Sequence, residues 1–317
     1  MDLASTASRR DLPGSGIRVS ALRWAPDTGD IEPPPILLHH GLASSAGFWG
    51  PVASRLAAGI PSGACRDVVA LDARGHGESD RPDDGYDFAT ITTDLHGALV
   101  ALGWDGLAGP RPVLVGHSWG GNVVLEYAAR RPEVPAGIVL VDGGFIELQA
   151  HMSWEETEQE LAPPRLTPMT WSEFSARASG WWSATGWDAS IEAAMRHNFE
   201  ELADGTIRSR LSRERHMRIL RAMWEQRPSE LYERVRCPVL LLPARRANVE
   251  GREQRFIERK ERTVERAQAI LRRAGAAVSV EWFEDSIHDV PLQHPARLAA
   301  RLQAFAATLP VRGVPAG

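Results

Sequence analysis

Short, largely apolar stretches recur along the chain at 36–38, 66–71, 113–115, 137–141, 237–242 and 278–283, most of them bounded by Gly, Pro or charged residues. A run of this kind is what a strand covered on both faces requires. The stretch 17–24 alternates instead, which reads as an edge strand. Residues 1–16 are polar and Gly/Pro-bearing and are expected to be a loose lead-in, with a turn at 26–30. Between the runs, apolar positions return at helical spacing over 46–58, 88–102, 251–274, 295–309 and directly after residue 118. Strands alternating with helices predict an α/β fold, with a mostly parallel central sheet and helices on both faces.

That rhythm breaks at 145–230. The segment contains no convincing buried strand and reads as helices. It holds Trp154, Trp171, Trp181, Trp182, Trp187 and Trp224, six of the eleven tryptophans, so its aromatic content is out of proportion to its length. Charged stretches such as 155–158 read as solvated helix faces. The expected organisation is a core of 1–144 and 231–317 with a helical cap inserted at 145–230.

Composition narrows the partners. A net charge of −5 over 317 residues supplies no basic footprint for nucleic acid. No apolar run approaches the ~18 residues of a membrane span, and the first ten residues lack the apolar region of a secretory signal. A cytoplasmic protein, monomer or homodimer, acting on a small molecule is expected. Cys65 and Cys237 have no metal spacing and read as free thiols. No metal and no cofactor are implied.

Candidate chemistry lies at 113–121, Val-Leu-Val-Gly-His-Ser-Trp-Gly-Gly. A strand ending in Gly-x-Ser-x-Gly and running into a helix forces a sharp turn, with Gly116 and Gly120 leaving room for strand and helix to approach. Ser118 would stand at its tip, the nucleophile-elbow arrangement. A serine hydroxyl needs a base within hydrogen-bond reach. Of the ten histidines, His288 in the loop after the last strand is the candidate.

Four motifs in order, His40-Gly41, Asp72-x-Arg74-Gly75-His76-Gly77-x-Ser79, Gly116 to Gly121, and Ile287-His288-Asp289, make the chain resemble the α/β-hydrolase superfamily over nearly its whole length outside the cap. The resemblance implies Ser118 as nucleophile, His288 as base, and the backbone N–H groups of Leu42 and Trp119 as the oxyanion hole. The acid departs from the usual pattern. Similar hydrolases place it in the loop after the strand at 239–242, where this chain has Ala247 and Asn248, with Glu250 displaced towards the next helix. Another group of relatives takes it from the strand after the elbow helix, and there stands Asp142. Asp142 is favoured over Glu250, and it keeps the order Ser, Asp, His. Candidate pocket residues are His39, Phe48, Trp49, Phe145, Trp181 and Trp182, which suggest an apolar or aromatic substrate.

The expected reaction is cleavage of a carboxylic ester, lactone or thioester through an acyl-serine. The same fold also hosts cofactor-free dioxygenases, carbon–carbon bond hydrolases and non-catalytic ligand-binding proteins. Epoxide hydrolases and haloalkane dehalogenases are similar too, but they need Asp where this chain has Ser118.

Overall fold

The computed structural model describes residues 7–26, 31, 33–165, 167–181 and 187–310. The turn expected at 26–30 lies almost wholly outside them. The chain opens with a hairpin, β1 (Ser8–Pro13) and β2 (Arg18–Trp24), and continues through β3 (Ile36–His39), α1 (Gly50–Ala57), β4 (Val68–Leu71) and α2 (Phe88–Leu102). Next come β5 (Val113–His117), α3 (Trp119–Arg130) and β6 (Gly137–Val141). After an excursion the sheet resumes with β9 (Val239–Leu242), the long α9 (Gly251–Arg273), β10 (Val278–Val280), α10 (Val290–Gln293) and α11 (Pro295–Ala307). The excursion comprises α4 (Trp154–Leu161), α5 (Trp171–Trp181), α6 (Ala189–Arg196), β7 (Phe199–Glu201), β8 (Ile207–Ser209), α7 (Arg213–Glu225) and α8 (Pro228–Tyr232).

Eight strands form one sheet in the order β1-β2-β4-β3-β5-β6-β9-β10, parallel from β4 to β10. Every residue of β3, β4, β5, β6 and β9 is buried, as their unbroken apolar sequences require. One face packs α2, α3 and α9 through Leu95, Leu99, Val123 and Leu271. The other packs α1 and α11 through Val52, Leu56, Leu298 and Leu302. Each such side chain contributes about 1.5–3 kcal/mol by leaving water. Helix ends follow local chemistry: Asp87 accepts the Thr90 amide at the start of α2, and Gly103 closes that helix at φ 71°.

Two expectations are corrected. Residues 8–13 are not a loose lead-in but the edge strand β1, so β2 is an inner strand. A buried ion pair ties down this region: Arg74 donates through Nε and Nη2 to Asp94, 2.9 Å each, while the Ser15 amide donates to the same carboxylate. The segment 145–230 is also not wholly helical. Phe199–Glu201 and Ile207–Ser209 pair as an antiparallel ribbon, too short and too exposed to show an apolar run. Among the described residues no helix is long and apolar enough to cross a membrane.

Candidate active site

The candidate residues converge at the carboxyl edge of three adjacent strands. His117, Val141 and Leu242 are level across β5, β6 and β9, so Ser118, Asp142 and the loop beginning at Pro243 leave the sheet side by side. Ser118 has φ 54° and ψ −124°, a conformation a serine adopts only where the turn imposes it. Close packing maintains that turn. A Cβ on Gly116 would lie 2.1 Å from the Gly120 carbonyl oxygen, and one on Gly143 would lie 2.0 Å from the Ser118 carbonyl oxygen.

Asp142 is itself at φ 42° and is buried. Its Oδ2 accepts a hydrogen bond from His288 Nδ1 at 2.7 Å. Its Oδ1 accepts the Ala244 amide at 2.9 Å. The loop after β9, which has no carboxylate at the usual acid position, thus supplies a backbone donor to the carboxylate at the end of β6. Glu250 stands at the start of α9, and its side chain makes no hydrogen bond or ion pair with described residues.

Two further groups complete the arrangement. Lys260 on α9 donates from Nζ to Asp142 Oδ1 (2.9 Å) and Oδ2 (3.1 Å) and to the Ala244 carbonyl (2.8 Å). It is the only lysine among 36 basic side chains, and it occupies a core-facing position between Ile257 and Val264. His117, next to Ser118, donates from Nε2 to the main-chain oxygen of His288 at 2.9 Å and stacks on Phe48. Since that carbonyl can only accept, the Nε2 proton is fixed. Neither role was expected from sequence. Lys260 had left a signal, as a unique residue type at a position of the apolar stripe.

The electrostatics follow from this geometry. Burial works against the Asp142 anion, but the His288 hydrogen bond and charge, with Lys260 and the Ala244 amide, outweigh it and hold the carboxyl well below its usual range. For His288, desolvation by surrounding protein opposes the imidazolium. The ring is still half open to solvent (51%), so the bond to Asp142 and its charge prevail and raise the pKa above 6.5. Burial pushes His39 down to about 4, and His76 and His117 to about 3. These three stay neutral.

Ser118 is half-buried, and no hydrogen bond joins it to His288 among the described residues. Such bonds often tighten only when substrate is bound. The Trp119 amide is the first of α3 and has no intrahelical acceptor, and the Leu42 amide has no backbone acceptor among the described residues. His39 lies buried among Val19, Leu71, Ile91 and Leu95 and against Trp119, so packing occupies it. Trp49 is also fully buried, edge-on to Phe48. Phe145 lines a groove of about 220 Å³ with Tyr232, Arg259 and Ile270. The side chain of Trp181 and all of Trp182 lie outside the described residues. Other tryptophans of the insertion pack: Trp154 and Trp224 both stack with Arg221, and Trp171 clusters with Phe174 and Phe199.

Comparison with known proteins bears on the family and the fold. An uncharacterized protein of Mycobacterium tuberculosis is 32% identical over 113 residues, 36% of this chain and 30% of that protein. A 2-(acetamidomethylene)succinate hydrolase of Mesorhizobium japonicum is 31% identical over 118 residues, 37% of this chain and 38% of that protein. The chain thus aligns with well under two thirds of these relatives' own length. Among solved structures, an E-2-(acetamidomethylene)succinate hydrolase superposes with TM-score 0.72 at 19% identity, covering 95% of this chain and 100% of the other. A thioesterase domain from the curacin biosynthetic pathway gives 0.67 at 18%, covering 94% and 99%. At these identities the superpositions establish the fold alone. The family model described as "Alpha/beta hydrolase family" matches residues 36–301, and with most of its length so matched the chain belongs to the alpha/beta hydrolase family.

Proposed function

We propose that the protein is a serine hydrolase that cleaves a carboxylic ester, lactone or thioester of a small apolar or aromatic molecule, with 145–230 as a cap over the site. The observation that carries this reading is the 2.7 Å bond from His288 Nδ1 to the buried Asp142 carboxylate, beside a serine on a strained strand-to-helix elbow. That bond orients the imidazole so that Nε2 is free to take the Ser118 proton. Ser118 Oγ attacks the carbonyl carbon while the Leu42 and Trp119 amides receive the developing oxyanion. His288 then gives the proton to the leaving oxygen or sulfur, and an acyl-serine remains. A water deprotonated by His288 releases the acid and restores the serine. Asp142 stabilises the imidazolium throughout and does not itself gain the proton.

A second reading keeps the same residues but acts on a carbon–carbon bond, or on dioxygen without a cofactor. What favours it is the acid on β6, a position that some cofactor-free dioxygenases of this fold also use. The relatives span several chemistries by name, among them a non-heme chloroperoxidase and a soluble epoxide hydrolase.

Labelling with a fluorophosphonate probe tests the first reading. Wild type should label rapidly, and Ser118→Ala and His288→Ala should not. A folded wild type that neither labels nor turns over a broad ester, lactone and thioester panel overturns it, and oxygen uptake with heteroaromatic substrates then tests the second.

A further inference from the structure

Lys260 is the one lysine in a chain with 35 arginines, and it is buried against the carboxylate assigned as the acid. Its three N–H donors meet three acceptors, Asp142 Oδ1, Asp142 Oδ2 and the Ala244 carbonyl oxygen. A point charge with three rotatable donors fits that convergence, and a planar guanidinium fork does not. Packing alone does not call for an amine at this position. Its neighbours along the same face of α9, Ile257, Val264 and Ala267, are apolar. Replacing a buried ion pair by apolar groups is often neutral or stabilising. Nor does Asp142 lack donors without it, since His288 Nδ1 and the Ala244 amide already serve its two oxygens.

We propose that Lys260 is a positioning residue of the candidate catalytic set: its ammonium fixes the Asp142 carboxylate and offsets its charge, weakening the hold of that carboxylate on the His288 imidazolium. The catalytic meaning of this role rests on the hydrolase reading above; the electrostatic role rests on geometry alone. A buried anion bonded to Nδ1 favours the imidazolium and so narrows the pH range over which the ring is a free base. A cation on the far side of the same carboxylate opposes that, and the Lys260 charge acts on His288 in that sense. The charged and titratable groups facing Asp142 and His288 are Lys260 from α9, Asp289 from the base's own loop and His117 from β5. Asp289 acts with Asp142 to favour the imidazolium, so Lys260 is the only cation in this group that offsets two carboxylates.

The test compares wild type with Lys260→Met, Lys260→Gln and Lys260→Arg. The first readout is the titration of the His288 ring by NMR in the folded protein, which needs no turnover. The second is the pH profile of kcat/KM on an ester that wild type hydrolyses. Both neutral variants should titrate His288 at higher pH than wild type. Their kcat/KM at about pH 6 should fall on the order of tenfold further than at about pH 9. Lys260→Arg, which keeps the charge but not the fit to the three acceptors, should titrate between wild type and the neutral variants. A His288 titration unmoved or lowered in the neutral variants overturns the proposal, as does a loss of kcat/KM that is equal at every pH. If Lys260→Met does not fold, Lys260→Gln, which keeps donors but no charge, decides alone. A raised His288 titration in a protein inert to every ester sinks the hydrolase reading and upholds the charge-balancing role.

Discussion

His117 Nε2 donates to the main-chain oxygen of His288 across 2.9 Å, so the residue beside the candidate nucleophile holds the loop that carries the candidate base. The two lie 171 positions apart in sequence, and their rings are 4.8 Å apart between centroids. His117→Phe keeps an aromatic ring against Phe48 and removes the donor. Freed by even an ångström, His288 would meet Ser118 poorly. A fall in kcat of about 10²-fold is expected, with little change in thermal midpoint. Steady-state kinetics beside a melting curve check it, and an unchanged kcat would show that the loop is held by other contacts.

The two carboxylates weighed for the acid separate by mutation. Asp142→Asn should lower kcat by about 10⁴-fold, because the amide does not fix the required imidazole tautomer. It also leaves the Lys260 ammonium buried opposite a neutral group, so about 3–5 kcal/mol of stability should be lost in urea denaturation. Glu250→Gln should stay within about twofold of wild type. Full activity in the first and loss in the second would reverse the assignment.

Two pH effects have the same direction for different reasons. His288 is raised above 6.5 and serves as a base only when neutral, so kcat/KM should fall as pH drops through that raised value. Stability should weaken on the acid side as well. His39, His76 and His117 are held neutral in the fold, with pKa values of about 4, 3 and 3. Below about pH 6.5 the unfolded chain takes up protons that the folded one refuses, so each of these histidines removes up to about 1.4 kcal/mol per pH unit down to its folded value. Asp142 is depressed instead: its contribution is present at neutral pH and is lost as pH falls below about 4. Urea midpoints at about pH 7, 6 and 5 should therefore decline steadily, and a flat series would contradict the buried neutral histidines.

Arg74 and Asp94 are only 4% and 6% exposed, and with Ser15 they fasten the N-terminal hairpin to α2. Arg74→Met leaves Asp94 buried without its partner and should cost about 3–5 kcal/mol. Activity at low temperature should be retained, since among the described residues neither side chain bonds to Ser118, Asp142 or His288. Differential scanning calorimetry with parallel kinetics measures both, and a variant as stable as wild type would mean that the hairpin is held elsewhere.

What could be read from the chain depended on where its information is stored. Strands β3, β5, β6 and β9 lie between two helical layers, and burial on both faces leaves an unbroken apolar run that is visible without a structure. The Ser118 elbow was legible for a related reason, because its glycines are required by the backbone itself. β1 was not, since five of its six residues are exposed and its ladder to β2 uses main-chain groups that any sequence provides. The roles of His117 and Lys260 were hidden because each depends on a tertiary neighbour. In one case this is a carbonyl in a distant loop, and in the other an acid on another strand. Lys260 is further obscured by its surroundings in α9, where Arg259, Glu261 and Arg262 make the helix read as a solvated face.

The burial of the only lysine reaches beyond catalysis to how the chain can be cut. An endoprotease specific for lysine has one target bond in these 317 residues, after Lys260, in the middle of α9 and against the Asp142 carboxylate. The folded protein offers it no accessible site. Cleavage into 1–260 and 261–317 would therefore time the opening of α9 away from Asp142, giving a clock for this one corner of the molecule.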